Sequence, residues 1–508
     1  MKPPNSALGP IRRFSFSLTF VFTIHHMMLI MRRTYSLFSL LFVLIGLLCS
    51  GCSSRDAGYP LPQPQPKGSV LHLAVATPRS IVLRGLESED PMLRISSLRF
   101  VFYSADKSVV SQVRELAVSS STDLSDLALA LPEGDYKLVV IANPTAKLIA
   151  KTAVGSPLAQ LTGYDRYYLD GLATQGSQLT VSLLNEQGPI SVAASDFASS
   201  TPKIRVQLEA SLARVLVYGE PRLAGGAKRG EAPAGYVVSP QAVYTAPLRP
   251  LGLLRTGGNE VAGDGSLAQD RYPSSRMYEA WKDVAPKMLT ELLTYYSQDQ
   301  LTTREGGEEV YHAGLLSNEQ ALSAAISSIH VYARETTIPP TAYLVGALPS
   351  LVIRFPYIPS GLTLQTGEGW VSFRGAYYAE SQLKGWLASG QFDDLALGEA
   401  VQQAGITADS FKEPFEKGDL RFYYRAYNYY VVPIRHFEDA KAPEKTSVGR
   451  YGLVRGAEYR IHLTQILRPG TPLPPDLKAN LTPIAEEKDL HAVVSVRPIV
   501  VHSSEVHI

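Results

Sequence analysis

Both cysteines of this chain, Cys49 and Cys52, fall within its first 52 residues, so nothing beyond position 52 can form a disulfide and the fold must stand on its hydrophobic core. The same residues report where the chain goes. Leu37 to Leu48 is apolar apart from Ser39, with Met31-Arg32-Arg33 before it and Cys49-Ser50-Gly51-Cys52 after it. A basic stretch, a short apolar run and small residues ahead of a cysteine make a lipoprotein signal, cut between Gly51 and Cys52, with Cys52 carrying the lipid. The run is shorter than the ~20 residues a membrane-spanning helix needs. A second apolar stretch, Phe14 to Ile24, precedes Met31, which is expected to be the true start. The signal region is thus 1–51, and 31–51 is the working leader.

Over its 508 residues the composition is that of a globular protein, 45% apolar with a net charge of +1, so no global field invites nucleic acid. Tyrosine is abundant, 27 against 16 Phe and 3 Trp, which suits strands with one half-exposed face. Residues 52–68 form a lipidated tether ending in a proline-rich run, GYPLPQPQPKG, semi-extended and without a core. Ser69 to Ala76 alternates, Leu71, Leu73 and Val75 sharing one face, and predicts a strand. A linker with Arg79, Arg84 and Arg94 follows, and then a strand at Leu98 to Tyr103.

The next stretch is rich in short strands separated by Gly and Pro, the signature of a β-sandwich. Leu127 to Leu131 and Tyr136 to Ala142 flank Pro132-Glu133-Gly134-Asp135 and predict a hairpin. Gln178 to Leu184 and Ile204 to Tyr218 add strands. The loop GGAKRGEAPAG, 225–235, sets an expected boundary near 240, giving domains 69–240 and 241–489. In the second, Met277, Trp281, Val284, Met288 and Leu292 fall at helical spacing, as do Leu383, Trp386 and Leu387. Strands are expected at 350–355, 420–424, 429–435, 451–455 and 459–467. After the proline break 469–475, the valine-rich segment 490–508 ends the chain.

No catalytic set emerges: there is no GxSxG elbow, HExxH or P-loop. His436 and His462 lie beside or within predicted strands with no carboxylate at ligand spacing, Glu133 and Asp135 are turn residues, and Glu486-Glu487-Lys488-Asp489 is a solvated run. The tyrosines at 423, 424, 427, 429 and 430 fit sheet packing, with an adhesive surface as the other reading. The chain reads as no enzyme, with no cofactor and no metal site. The detachable segments are 69–76, between tether and arginine linker, and 490–508. Removing the first would expose an apolar groove and unpaired backbone, which a strand from another subunit could fill by β-augmentation.

The runs LPEGDYKLVVIANP at 131–144, YYVVPIRHF at 429–437 and GRYGLVRGAEYRIHLTQILRPGTP at 449–472 resemble the fimbrillin family, the lipoprotein-derived pilus subunits of Porphyromonas and Bacteroides, nearest to the Mfa-type short fimbriae. The resemblance implies a mostly β fold of two transthyretin-like Greek-key sandwiches, the second with inserted helices. It implies export to the outer membrane as a lipoprotein and then removal of the anchored N-terminal piece, first strand included (69–84), by an arginine-specific, gingipain-like protease. The matching site is Arg84 before Gly85, with Arg79 and Arg94 as alternatives. Polymerisation with other fimbrial subunits would follow on the cell surface, supporting adhesion to host or bacterial ligands and biofilm formation. The donor strand would be drawn from Val493, Val494, Val496, Ile499, Val500, Val501, Val506 and Ile508; Ile499 stands after Pro498 where the family pattern suggests Trp. Anchor subunits keep the first strand, tip subunits can lack a donor, and a monomeric surface lipoprotein binding glycan or host protein is the alternative from another class.

Overall fold

A computed structural model describes residues 69–76, 95–119, 121–162, 172–175, 178–186, 188–210, 212–240, 293, 295–313, 315–325, 331–333, 335–337, 343–436, 451–484 and 490–498. The lipid site, the tether, Arg79, Arg84 and Arg94, the helix expected from Met277 to Leu292 and residues 499–508 lie outside them.

The first sandwich is built from β1 (Ser69–Ala76), β2 (Ser97–Ser104), β3 (Val110–Ala117), β4 (Leu127–Leu131), β5 (Tyr136–Ala142), β6 (Leu183–Asn185), β7 (Ile190–Val192) and β8 (Ile204–Ala210). Their order is β3-β2-β5-β6-β8-β1-β4, with β7 also on β5. Strand β8 joins the two halves: Ile204–Gln207 pair with β1, and Leu208–Ala210 with β6. Alternation places Leu98, Phe100 and Phe102 of β2 and Leu138 and Val140 of β5 against Leu71, Leu73 and Val75 in one core. The opposite faces of β2 and β5, carrying Val101, Tyr103, Val139 and Ile141, pack under α1 (Ala146–Lys151) and the segment to Leu161. Both faces of these strands are therefore dry, which is why they read as nearly unbroken apolar runs.

The hairpin expected between 127–131 and 136–142 does not form. β4 pairs with β1, and β5 with β2, β6 and β7. The Pro132–Asp135 connection instead crosses from one half of the sandwich to the other. Its arch is tied by the Tyr136 hydroxyl donating to Pro132 O (2.8 Å) and by Asp135 Oδ1 accepting from Ala194 N (2.9 Å). Turn residues fix a reversal of the chain, but whether the flanking strands stay neighbours depends on which strand competes for the edge, and here β1 takes it.

The second sandwich starts at β9 (Ala213–Tyr218), three residues after Ala210, the last buried residue of the first core, rather than near 240. One sheet holds β9, β17 (Ala457–Ile466) and β18 (Leu490–Pro498); the facing sheet holds β10 (Gly235–Ser239), β11 (Ser350–Ile358) and β16 (Tyr427–Pro433). Val215, Ile353, Val432 and Ile461 are among the side chains between them. The glycine-rich loop taken as a boundary lies inside this sandwich, where Lys228–Arg229 pairs with β11. Gly and Pro mark turns within a domain as readily as between domains.

Between β11 and β16 the chain leaves the sandwich to build a small α/β module. It consists of β12 (Trp370–Phe373), β13 (Ala376–Ala379), α2 (Glu380–Ser389), α3 (Leu395–Gln403), β14 (Phe415–Lys417) and β15 (Leu420–Tyr423), in sheet order β13-β12-β15-β14. Helix α2 is the one expected from Leu383, Trp386 and Leu387; it ends at Gly390, whose φ of 69° supplies the left-handed cap. Helix α3 starts on Asp394, whose side chain accepts from Leu397 N. The module has its own core around Val371, Leu397, Phe411 and Phe422.

Candidate assembly groove at the first strand

Strand β1 opens the described chain yet sits inside its sheet. It runs parallel to β8, with Leu73 opposite Ile204 and Val75 opposite Val206, and antiparallel to β4, with Leu73 opposite Leu127 and Ser69 opposite Leu131. Leu71 and Leu73 are fully buried and Val75 nearly so, while Val70 on the outer face is 40% exposed. Three side chains two residues apart thus enter a trough floored by β2 and β5 and flanked by Phe197. The polar edge is fastened more lightly. His72 Nδ1 lies 2.9 Å from Asp126 Oδ1, Ser69 Oγ donates to Glu133 Oε2 at 3.4 Å, and Val75 N donates to Leu124 O at 2.8 Å.

Two properties follow from this placement. Among the described strands β4 pairs with β1 alone, so withdrawing β1 would strand it and leave backbone groups open along both β4 and β8. The trough left behind would be apolar, with an alternating side-chain code and a fixed direction, parallel to β8. An extended peptide with small-to-medium apolar residues at every second position is the chemical complement.

Part of the expected donor segment is occupied. Leu490–Pro498 is β18, paired antiparallel with β17 from Ile466↔Leu490 to Ala457↔Pro498. Leu490 and Val494 are buried in the second core, and Val493 is 45% exposed. The backbone of Val496 lies in the same strand. Ile499, Val500, Val501, Val506 and Ile508 lie outside the described residues.

The tyrosine-rich strands are packed inward. Tyr423, Tyr427, Tyr429 and Tyr430 are all buried, so they do not present an adhesive face. Tyr423 stacks on Trp370 with centroids 3.7 Å apart. The hydroxyls of Tyr423 and Tyr430 donate to Gly470 O and Arg468 O, both at 3.1 Å, and Tyr430 Oη accepts from Gly470 N. They anchor the turn after β17 at a point where a Cβ on Gly470 would stand 2.4 Å from Tyr429 O. His462 stacks on Tyr218 (centroids 4.8 Å, planes 2° apart). His436 Nδ1 is 2.8 Å from Tyr459 Oη, within hydrogen-bond reach, and Tyr459 Oη also accepts from Val454 N. Burial pushes the His436 ring down to about 4, with Glu335 opposing. No cluster of three metal-capable side chains occurs among the described residues.

Residues 421–505, from within β15 through β18, match the family model "Major fimbrial subunit protein type IV, Fimbrillin, C-terminal". The C-terminal part of the chain is thus similar to the C-terminal region of fimbrillins. No curated protein matches the chain. Among solved structures it aligns with a fimbrilin of Porphyromonas gingivalis (12% identity over 86% of this chain and 99% of that one, TM-score 0.37). It also aligns with a putative cell adhesion protein of Parabacteroides distasonis (11%, 86% and 100%, TM-score 0.39) and a tip fimbrial protein of Porphyromonas gingivalis (10%, 84% and 98%, TM-score 0.32). These likenesses are too distant to carry an argument about fold or function. The fimbrillin match covers the sequence runs at 429–437 and 449–472, whose work in the molecule is the tyrosine-pinned turn and the β16–β17 core.

Sequence reasoning found β1 through its alternation and missed its neighbours. Asp126, Glu133 and Phe197 reach the strand from 54, 64 and more than 100 residues away, and no local pattern marks them.

Proposed function

We propose that this fimbrillin-like chain is a structural subunit of a surface fimbrium. It is exported as a lipoprotein on Cys52, cut after Arg84, and polymerised by a strand that replaces β1 in its groove. The observation carrying this reading is the position of β1: an interior strand at the start of the folded body, joined to the rest through the arginine-bearing linker and held by three apolar side chains. The replacing strand comes from 490–508 of a neighbouring copy, and the assembled fimbrium supports adhesion and biofilm formation. Partners are other fimbrial subunits and an arginine-specific protease, and the lipid holds the precursor to the outer membrane.

The test is N-terminal sequencing of protein sheared from intact cells, together with its size on a non-boiled gel. A start at Gly85 with a ladder of heat-sensitive oligomers is expected. A blocked Cys52 on a single monomer band would overturn the reading and leave an uncut anchor subunit or a stand-alone surface lipoprotein.

A further inference from the structure

The return from the inserted module to the second sandwich is made by two consecutive non-glycine residues in the left-handed region, Arg425 (φ 53°, ψ 31°) and Ala426 (φ 60°). Each such residue is costly and persists only where its surroundings hold it. Here they do. Tyr423 stacks on Trp370 just before the pair, and Asn428 Nδ2 donates to Ala426 O at 2.9 Å just after it. The strain puts Arg425 on the wall of a cleft of about 200 Å³, between the Lys228–Ala232 segment and the loop 362–368.

The lining is amphipathic. Ile358, Leu362, Leu364 and Ala426 supply apolar surface, Thr363, Gln365 and Thr366 supply polar groups, and Lys228, Arg229 and Arg425 supply three cations. Among the described residues none of the three forms an ion pair with a carboxylate; the Arg229 guanidinium lies 5.6 Å from the Phe355 ring centroid. Two carboxylates also line the cleft. Glu368 is committed, Oε2 accepting from Gln365 N (2.6 Å) and Oε1 from Ser381 N (2.7 Å), and so fixes the loop. Glu231 is exposed and stands as the one opposing charge not tied into the wall.

We propose that this cleft binds a carboxylate-bearing sugar, its carboxylate on Arg425 and Arg229, its hydroxyls on the threonine-rich loop and its apolar ring face on Leu362 and Leu364. Fork-shaped guanidinium groups match a carboxylate in geometry as well as charge. A ring with one apolar face and several hydroxyls matches a wall divided in the same way. The cleft is remote from the β1 groove in the fold, belonging to the second sandwich and its insert, so it stands or falls apart from the assembly reading.

The test is saturation-transfer NMR and calorimetric titration of the full chain with N-acetylneuraminic acid, glucuronic acid, glucose and acetate. Binding of either acidic sugar, with glucose at least about tenfold weaker and the affinity falling as salt rises, is expected; which acid binds more tightly identifies its source. Arg425→Asn keeps a residue type that tolerates left-handed backbone while removing the guanidinium. It and Arg229→Ala should each weaken binding by about tenfold to a hundredfold, and Glu231→Gln should tighten it. Circular dichroism should be unchanged by all three. Equal binding of glucose, acetate binding as tightly as the sugars, no binding at all, or binding that survives the Arg229→Ala/Arg425→Asn pair would each overturn the proposal.

Discussion

Leu73 is the side chain on which the groove turns. It is fully buried, opposite Ile204 on one neighbour and Leu127 on the other. Leu73→Ala in the uncut protein should leave a cavity and cost about 2–5 kcal/mol. Together Leu71, Leu73 and Val75 contribute about 5–9 kcal/mol of burial, and ordering the backbone of the strand offsets much of that gain. A strand tethered on both sides stays in place, and one cut free of its linker can be exchanged. The assay is urea denaturation of uncut protein and of assembled fimbriae, wild type and variant. The uncut variant should lose its 2–5 kcal/mol and release β1 faster after cleavage, while assembled subunits, having shed position 73, should be unchanged. A loss under about 1 kcal/mol in the uncut form, or an equal loss in the polymer, would refute the argument that β1 is both a core strand and a removable one.

Deleting 499–508 should abolish polymerisation by gel ladder, whereas deleting 490–508 also removes buried Leu490 and Val494 and opens the edge of β17, so it should destabilise and aggregate the monomer. Glu335→Gln removes the carboxylate charge 2.9 Å from the buried Arg455 and should destabilise the protein by up to about 3–5 kcal/mol in chemical denaturation. His436 is held neutral in the fold, at about 4 against 6.5 in the unfolded chain. Its contribution is therefore complete above pH 6.5 and is lost as pH falls from 6.5 to 4, by at most about 3 kcal/mol. His436→Asn should flatten that part of the stability profile, and an unchanged slope between pH 6.5 and 4 would count against the burial of the His436 ring.

Local order was legible in the sequence wherever one face of an element meets the core. The alternation of Leu71, Leu73 and Val75 gave β1, and Leu383, Trp386 and Leu387 gave α2, because the period of burial is written into neighbouring residues. The absence of cysteine beyond position 52 likewise settled that packing alone closes the fold. What tertiary structure decided was partnership. That β4 would lie beside β1 and not β5, and that the second core would begin at Ala213, depends on contacts such as Leu73 with Ile204, across more than a hundred residues. The same holds for the sites. Arg425 is unremarkable in its tyrosine-rich run, and only the strained return of the inserted module sets it across from Arg229. A residue's period and polarity act over a turn or two of chain, whereas a groove or a cleft is made by surfaces that meet after the chain has folded back, and no short stretch of sequence carries both walls.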